Sequence, residues 1–224
     1  MTTEPPFTEV MWAETKPLRA AIDDLEFLHR LGDGTLPIEA FYFYMEQDAL
    51  YLAGYGKALA LLAARSPDRV TGAFWAQASA TCATVEMSLH EGVLAGRTAA
   101  EPSPTCLGYV SYLIAAAATA PYPVAAAAVL PCFWIYGEVG RDLAARAADV
   151  VAADPAHPYA QWVTTYDSPQ FQADVLAARK LVAAAAAAAT ESERAAMLEA
   201  FRISTRYELL FWDTALHPQP WPQA

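Results

Sequence analysis

One stretch restricts the fold more than any other. From Val124 the chain runs Val-Ala-Ala-Ala-Ala-Val-Leu, meets Pro131, and continues Cys132-Phe133-Trp134-Ile135-Tyr136 towards about Val151. This run is too long for a strand and rich in alanine, so it predicts a helix. Pro131 removes one backbone donor inside it and predicts a kink just before Cys132. Cys132 and Tyr136 are four residues apart and share a helix face. A helix this apolar needs cover on nearly every side. The most apolar region, Tyr109 to Tyr136, is broken by Pro121, Pro123 and Pro131, which fits a pair of core helices better than a membrane span. The ordinary reading of Cys132 alone is a buried core thiol.

The rest of the chain supplies that cover. Helical spacing is read over 7–31 with an interruption at Pro17, then 37–64, 67–96, a helix carrying Tyr109 and Tyr112, a short one from Tyr159 to Tyr166, 169–189 and 191–216. Val10, Leu18, Ile22, Leu25 and Leu28 are expected on the inner face of the first. In Gly32-Asp33-Gly34-Thr35-Leu36-Pro37, both glycines are candidates for positive φ and Thr35 is a candidate cap. Thr190 is expected to cap the last helix. No strand alternation or internal repeat is found, so the fold class is all-α: a single-domain helical bundle over 1–224, with a Pro-rich C-terminal tail at 217–224. With 224 residues, 55% of them hydrophobic, the chain can bury one sizeable core. A net charge of −11 disfavours nucleic acid and anionic membranes as partners. Three cysteines without zinc spacing predict free thiols in a reducing compartment, and no basic-then-apolar leader opens the chain. The expected localisation is cytoplasmic.

Three helices place an ionisable or reactive group on an apolar face. Asp48 lies in the stripe Tyr44, Asp48, Tyr51, Tyr55, at spacings of four, three and four, whereas Glu46, Gln47 and Lys57 fall off it. Glu208 lies four residues before Trp212 and seven after Phe201. Cys132 is the third. A buried carboxylate is costly unless partnered, so two of them beside a thiol point to a polar pocket between helices. Aromatic walls with a few polar groups suit a flat heteroaromatic ligand, and a carboxylate matches the amidine-like edge of an aminated ring. Glu86 and His90, one turn apart, are read as a hydrogen-bonded structural pair. The two copies of Glu-x-x-His that a helical di-iron site needs are absent.

Ordered motifs carry a resemblance. They are Gly32-Asp33-Gly34-Thr35-Leu36-Pro37, Glu46-Gln47-Asp48 with Tyr51, Glu86 to His90, Pro102-Ser103-Pro104-Thr105 with Tyr109, and Leu130-Pro131-Cys132 through Glu138-Val139-Gly140. Thr165-Tyr166 and Tyr207-Glu208 with Phe211-Trp212 complete the set. Over about residues 25 to 213 the chain resembles the TenA/thiaminase II family, cysteine-bearing type. Many members carry His-Pro-Phe where this chain has Leu25-Glu26-Phe27. The resemblance implies a haem-oxygenase-like bundle and hydrolysis of 4-amino-5-aminomethyl-2-methylpyrimidine to the hydroxymethylpyrimidine of thiamin salvage, with thiamin cleavage as a further activity. It implies Cys132 as nucleophile, Glu208 as acid/base and Asp48 as the substrate-orienting carboxylate. It implies Tyr51, Tyr109, Tyr136 and Tyr166 as substrate-binding pocket tyrosines. The partner is then a small pyrimidine, no cofactor or metal is expected, and a homotetramer is implied. Glu138, six residues beyond Cys132, points elsewhere and is expected to be structural. The competing reading is a non-catalytic pyrimidine- or thiamin-binding protein, which needs no thiol.

Overall fold

The computed structural model describes residues 5–94, 97, 101–153, 159–160 and 168–222, without the side chains of 85–93 and 151. Every regular element among them is a helix. They are α1 (Phe7–Glu14), α2 (Lys16–Asp23), α3 (Glu26–Gly32), α4 (Ile38–Ala64), α5 (Arg69–Val93), α6 (Pro104–Thr119), α7 (Tyr122–Ala153), α8 (Pro169–Ala188) and α9 (Glu191–Asp213). The long apolar helix α7 holds the centre, covered by α9, α8 and α6, while α4 packs on α5 and α6. It runs through Pro131. By length and composition α7 is apolar enough to cross a membrane, but 78% of its most apolar stretch is buried by the rest of the protein. It is therefore the core helix that its proline-broken neighbourhood predicts.

The first expected helix is three. α1 ends at Thr15, whose hydroxyl donates back to the Met11 carbonyl at 3.0 Å, and Pro17 then takes the second position of α2, where its missing N–H costs nothing. The break rotates the inward face, so Met11 is fully buried while Val10 is 36% exposed. These short helices are fastened by a four-layer stack. The Arg19 guanidinium lies 3.6 Å over Trp12, Trp12 stacks on Trp134 of α7 at 4.1 Å, and Arg179 of α8 covers Trp134 at 3.8 Å. Glu9 of α1 accepts from Arg179 at 2.8 Å.

Between α3 and α4 the structure corrects two expectations. Gly32 finishes α3, and only Gly34, at φ 78°, needs the left-handed region. Thr35 does not cap α4. Its N–H and hydroxyl both donate to Asp33 Oδ1, at 2.9 and 2.6 Å, closing the turn instead. At the other end of the chain, Thr190 caps α9 as expected, in a reciprocal box with Glu193. α4 approaches α6 closely, because a Cβ on Gly54 would lie 2.3 Å from Val110 Cγ1.

Candidate active site

Asp48 on α4, Tyr109 on α6, Cys132 on α7 and Glu208 on α9 meet in the core. Asp48 is 3% exposed and Glu208 1%. The Tyr109 hydroxyl donates to Glu208 Oε1 at 2.6 Å, a short contact. Tyr51 lies against Tyr109 with ring centroids 5.0 Å apart and against Phe211 at 5.4 Å. Tyr136 packs on Trp212 at 4.8 Å, and its hydroxyl is 3.2 Å from that of Tyr44. Every residue from Val124 to Gly137 is buried except Cys132, which keeps intermediate exposure. In the middle of a covered helix, Cys132 is the residue that keeps partial exposure.

The electrostatics join the three groups. Burial raises the Asp48 carboxyl to about 7. Burial also raises Glu208 to about 8, with the Tyr109 hydrogen bond pulling down and the Asp48 charge pushing up. Glu208 is therefore largely a protonated acid at neutral pH, and Asp48 is divided between its two forms. The Cys132 thiol is held well above its usual range, first by burial and then by Glu208, with Tyr51 acting in the opposite sense and Asp48 adding a further rise. The thiol thus responds to both carboxyls, and Glu208 to Asp48. The Tyr51 hydroxyl and the Trp212 indole N–H are buried without a full hydrogen bond among the described residues. Such a group typically costs roughly 1–3 kcal/mol, which a ligand atom can recover. The set can therefore offer an acidic proton, a thiol and aromatic faces to one flat molecule.

The remaining sequence candidates fall as follows. Tyr51, Tyr109 and Tyr136 line this core. Tyr166 lies outside the described residues, as do the side chains of Glu86 and His90. Glu138 is surface-facing and pairs with Arg141 at 2.5 Å. Gln47 falls off the aromatic stripe and is nevertheless buried. It is 3% exposed, and its side chain clamps the loop before α6, donating to the Glu101 carbonyl at 3.1 Å and accepting from the Ser103 N–H at 2.8 Å. Residues that periodicity leaves as mere core also reach the site. Tyr55 donates to the Val129 carbonyl at 2.8 Å and Ser204 to that of Ala128 at 2.7 Å. Ser204 lies four residues before Glu208, and that spacing is the signal that could have found it. Among the described residues no cluster of three or more His, Cys, Asp or Glu is placed to hold a metal.

A profile of the TENA/THI-4/PQQC family matches residues 12–217, which contain every group in this core. The chain belongs to that family. Among its relatives, the thiamine biosynthesis multifunctional protein ThiED of Corynebacterium glutamicum is 38% identical over 94% of this chain but only 27% of its own length, so the chain spans about a quarter of that relative. The aminopyrimidine aminohydrolase of Bacillus subtilis is 34% identical over 87% of this chain and 83% of its own. A solved structure titled a TenA family transcription regulator, from Silicibacter sp. TM1040, superposes with a TM-score of 0.84 at 27% identity, covering 95% of this chain and 97% of its own. A domain from Shewanella denitrificans described as having a haem-oxygenase-like fold superposes with a TM-score of 0.68, covering 96% of this chain and 94% of its own. At 15% identity it supports the fold alone. The bundle is thus the TenA one, haem-oxygenase-like in architecture.

Proposed function

We propose that this chain is an aminopyrimidine aminohydrolase of thiamin salvage, working by covalent catalysis at Cys132. The observation that carries the reading is the meeting of a thiol and two buried carboxyl groups, Asp48 and Glu208, within one aromatic core. The name of the Bacillus subtilis relative supports the substrate class. A single domain over 1–224, acting as a cytoplasmic homo-oligomer, is part of the same reading.

The amine to be displaced hangs on a methylene attached to an electron-poor ring. The Cys132 sulfur adds to the neighbouring ring carbon and forms a C–S bond. Its proton passes to Glu208 as Glu208 gives its own to a ring nitrogen. The ring is now electron-rich and expels the side-chain amine, which enters as its ammonium form, as neutral ammonia, leaving an exocyclic methylene. Water adds there and releases its second proton to solvent, the C–S bond breaks, and the ring-nitrogen proton returns through Glu208 to the sulfur, giving the hydroxymethyl product. Asp48, in its protonated form, offers one donor and one acceptor to the ring nitrogen and amino group of the pyrimidine edge. Tyr51, Tyr109, Tyr136 and Tyr166 wall and orient the ring. Tyr51, whose hydroxyl eases ionisation of the thiol, is the group that helps generate the thiolate.

The test is incubation with the aminomethylpyrimidine and, separately, with thiamin, following product by mass. Hydroxymethylpyrimidine from the first is the expected result, and product from both adds thiaminase activity. Tight binding of either compound with no product from both would replace the hydrolase with a pyrimidine- or thiamin-binding protein.

A further inference from the structure

Ser204 stands out among the buried hydroxyls. A serine or threonine inside a helix ordinarily bonds back to its own chain one turn earlier. Its neighbour Thr205 does that, donating to the Phe201 carbonyl at 2.8 Å. Ser204, fully buried, instead reaches across to α7 and donates to the Ala128 carbonyl at 2.7 Å. That carbonyl is the one to which the Cys132 backbone N–H points in an α-helix. It lies in the turn that Pro131 deprives of a donor: without a Pro131 N–H, the Ala127 carbonyl has no partner from that position. One turn on along α9 stands Glu208, and one turn on along α7 stands Cys132. The bond is therefore a cross-link between the two helices that carry the thiol and the acid, one layer away from both.

We propose that Ser204 is a positioning residue: its hydroxyl ties the proline-weakened turn of α7 to α9 and so sets the placement of Cys132 against Glu208. This rests on the hydrolase reading for its kinetic effect, but not for its effect on the thiol. The physical argument is one of tolerance. Addition of sulfur to a ring carbon with concurrent proton transfer needs both groups held to a fraction of an ångström, and a helix missing a hydrogen bond is a soft support for one of them. Removing the hydroxyl leaves the Ala128 carbonyl to its intrahelical partner and lets the turn before Cys132 relax. The substrate edge and aromatic walls are untouched, so binding persists.

The experiment compares Ser204→Ala, Ser204→Thr and Ser204→Cys with the parent chain. Two readouts are taken: kcat and KM on the aminomethylpyrimidine, and the pH profile of Cys132 carbamidomethylation by iodoacetamide, resolved at the Cys132 peptide by mass spectrometry. The alanine variant should lose roughly 10–100-fold in kcat with KM within about threefold, the scale of a misplaced reacting group. Its Cys132 alkylation profile should shift along the pH axis. Threonine, which keeps the donor, should restore both readouts. Cysteine, a weak donor of similar size, should fall between. If the alanine variant does not fold, threonine and cysteine decide, and a cysteine variant indistinguishable from the parent overturns the proposal. An alanine variant with parental kcat and alkylation profile also overturns it. A parent chain that turns over no pyrimidine, yet whose alkylation profile shifts in the alanine variant, sinks the hydrolase reading and leaves the positioning role standing.

Discussion

Cys132→Ser is the sharpest test at the scale of single residues. A hydroxyl is a far weaker nucleophile than a thiol here, so turnover should fall to background, while the aromatic walls and Asp48 should hold substrate affinity within about tenfold. Parental turnover in the serine variant would exclude covalent catalysis. The two carboxyls should separate in kinetics. Glu208→Gln keeps shape and removes an acidic proton, so kcat should drop by roughly 10²–10⁴-fold. Asp48→Asn should appear more in KM, because its contacts exist in ground and transition states alike. A slower Asp48→Asn enzyme at saturation, with Glu208→Gln nearly unaffected, would exchange the two roles. Glu208 is raised to about 8, so it is the acid at neutral pH and loses its proton above that. Activity should decline as pH rises through about 8, and this limb should vanish from the residual activity of Glu208→Gln. Asp48 and Glu208 were legible because each puts a carboxyl in an apolar stripe, where a charge is conspicuous in one dimension, whereas Cys132, an ordinary core thiol by itself, stood out only beside them. For Ser204 the four-residue spacing to Glu208 was the one available signal, and its acceptor, 76 residues away in the chain, is known only from the fold.

Helix–helix contact sets the geometry at the next scale. α4 and α6 bring Tyr51 and Tyr109 together through the close approach at Gly54, where an added Cβ would overlap Val110. Gly54→Ala should force the helices apart, costing about 1–3 kcal/mol in a urea or thermal melt. Unchanged stability would mean Val110 moves aside without strain. Periodicity located the long helices α4, α5, α7, α8 and α9 well, because each carries an apolar face over many turns. It read 7–31 as one interrupted helix because Pro17 is tolerated at a helix start as well as marking an interruption, and only the packed structure shows the chain turning at Thr15. The burial of Gln47 was open in the sequence for a related reason. Its spacing puts it off the aromatic stripe, but α4 is covered there by the loop it clamps, so a side chain off the stripe is still inside the protein.

For the whole molecule, two acids buried without full compensation make the fold's stability depend on pH in a defined direction. Their folded pKa values lie above the ordinary carboxyl range, so the folded state holds protons that the unfolded chain has released. Their contribution is complete below about pH 4 and is lost as pH rises through about 7 for Asp48 and about 8 for Glu208. Asp48→Asn and Glu208→Gln should therefore raise Tm relative to the parent at pH 8.5 and change it little at pH 4.5. Equal Tm differences at the two pH values would mean that neither acid is held protonated by the fold. The Trp12–Trp134 stack has a separate consequence, in optics. Two indoles 4.1 Å apart and within 8° of parallel share their excited states, so they should couple as an exciton pair in circular dichroism. Trp134 stands two residues from Cys132 on α7, and Trp12 comes from a different helix of the chain. The protein thus carries its own chromophore pair across the joint between its N-terminal helices and the helix of the thiol, and loss of the couplet in Trp12→Phe would assign the signal without any added label.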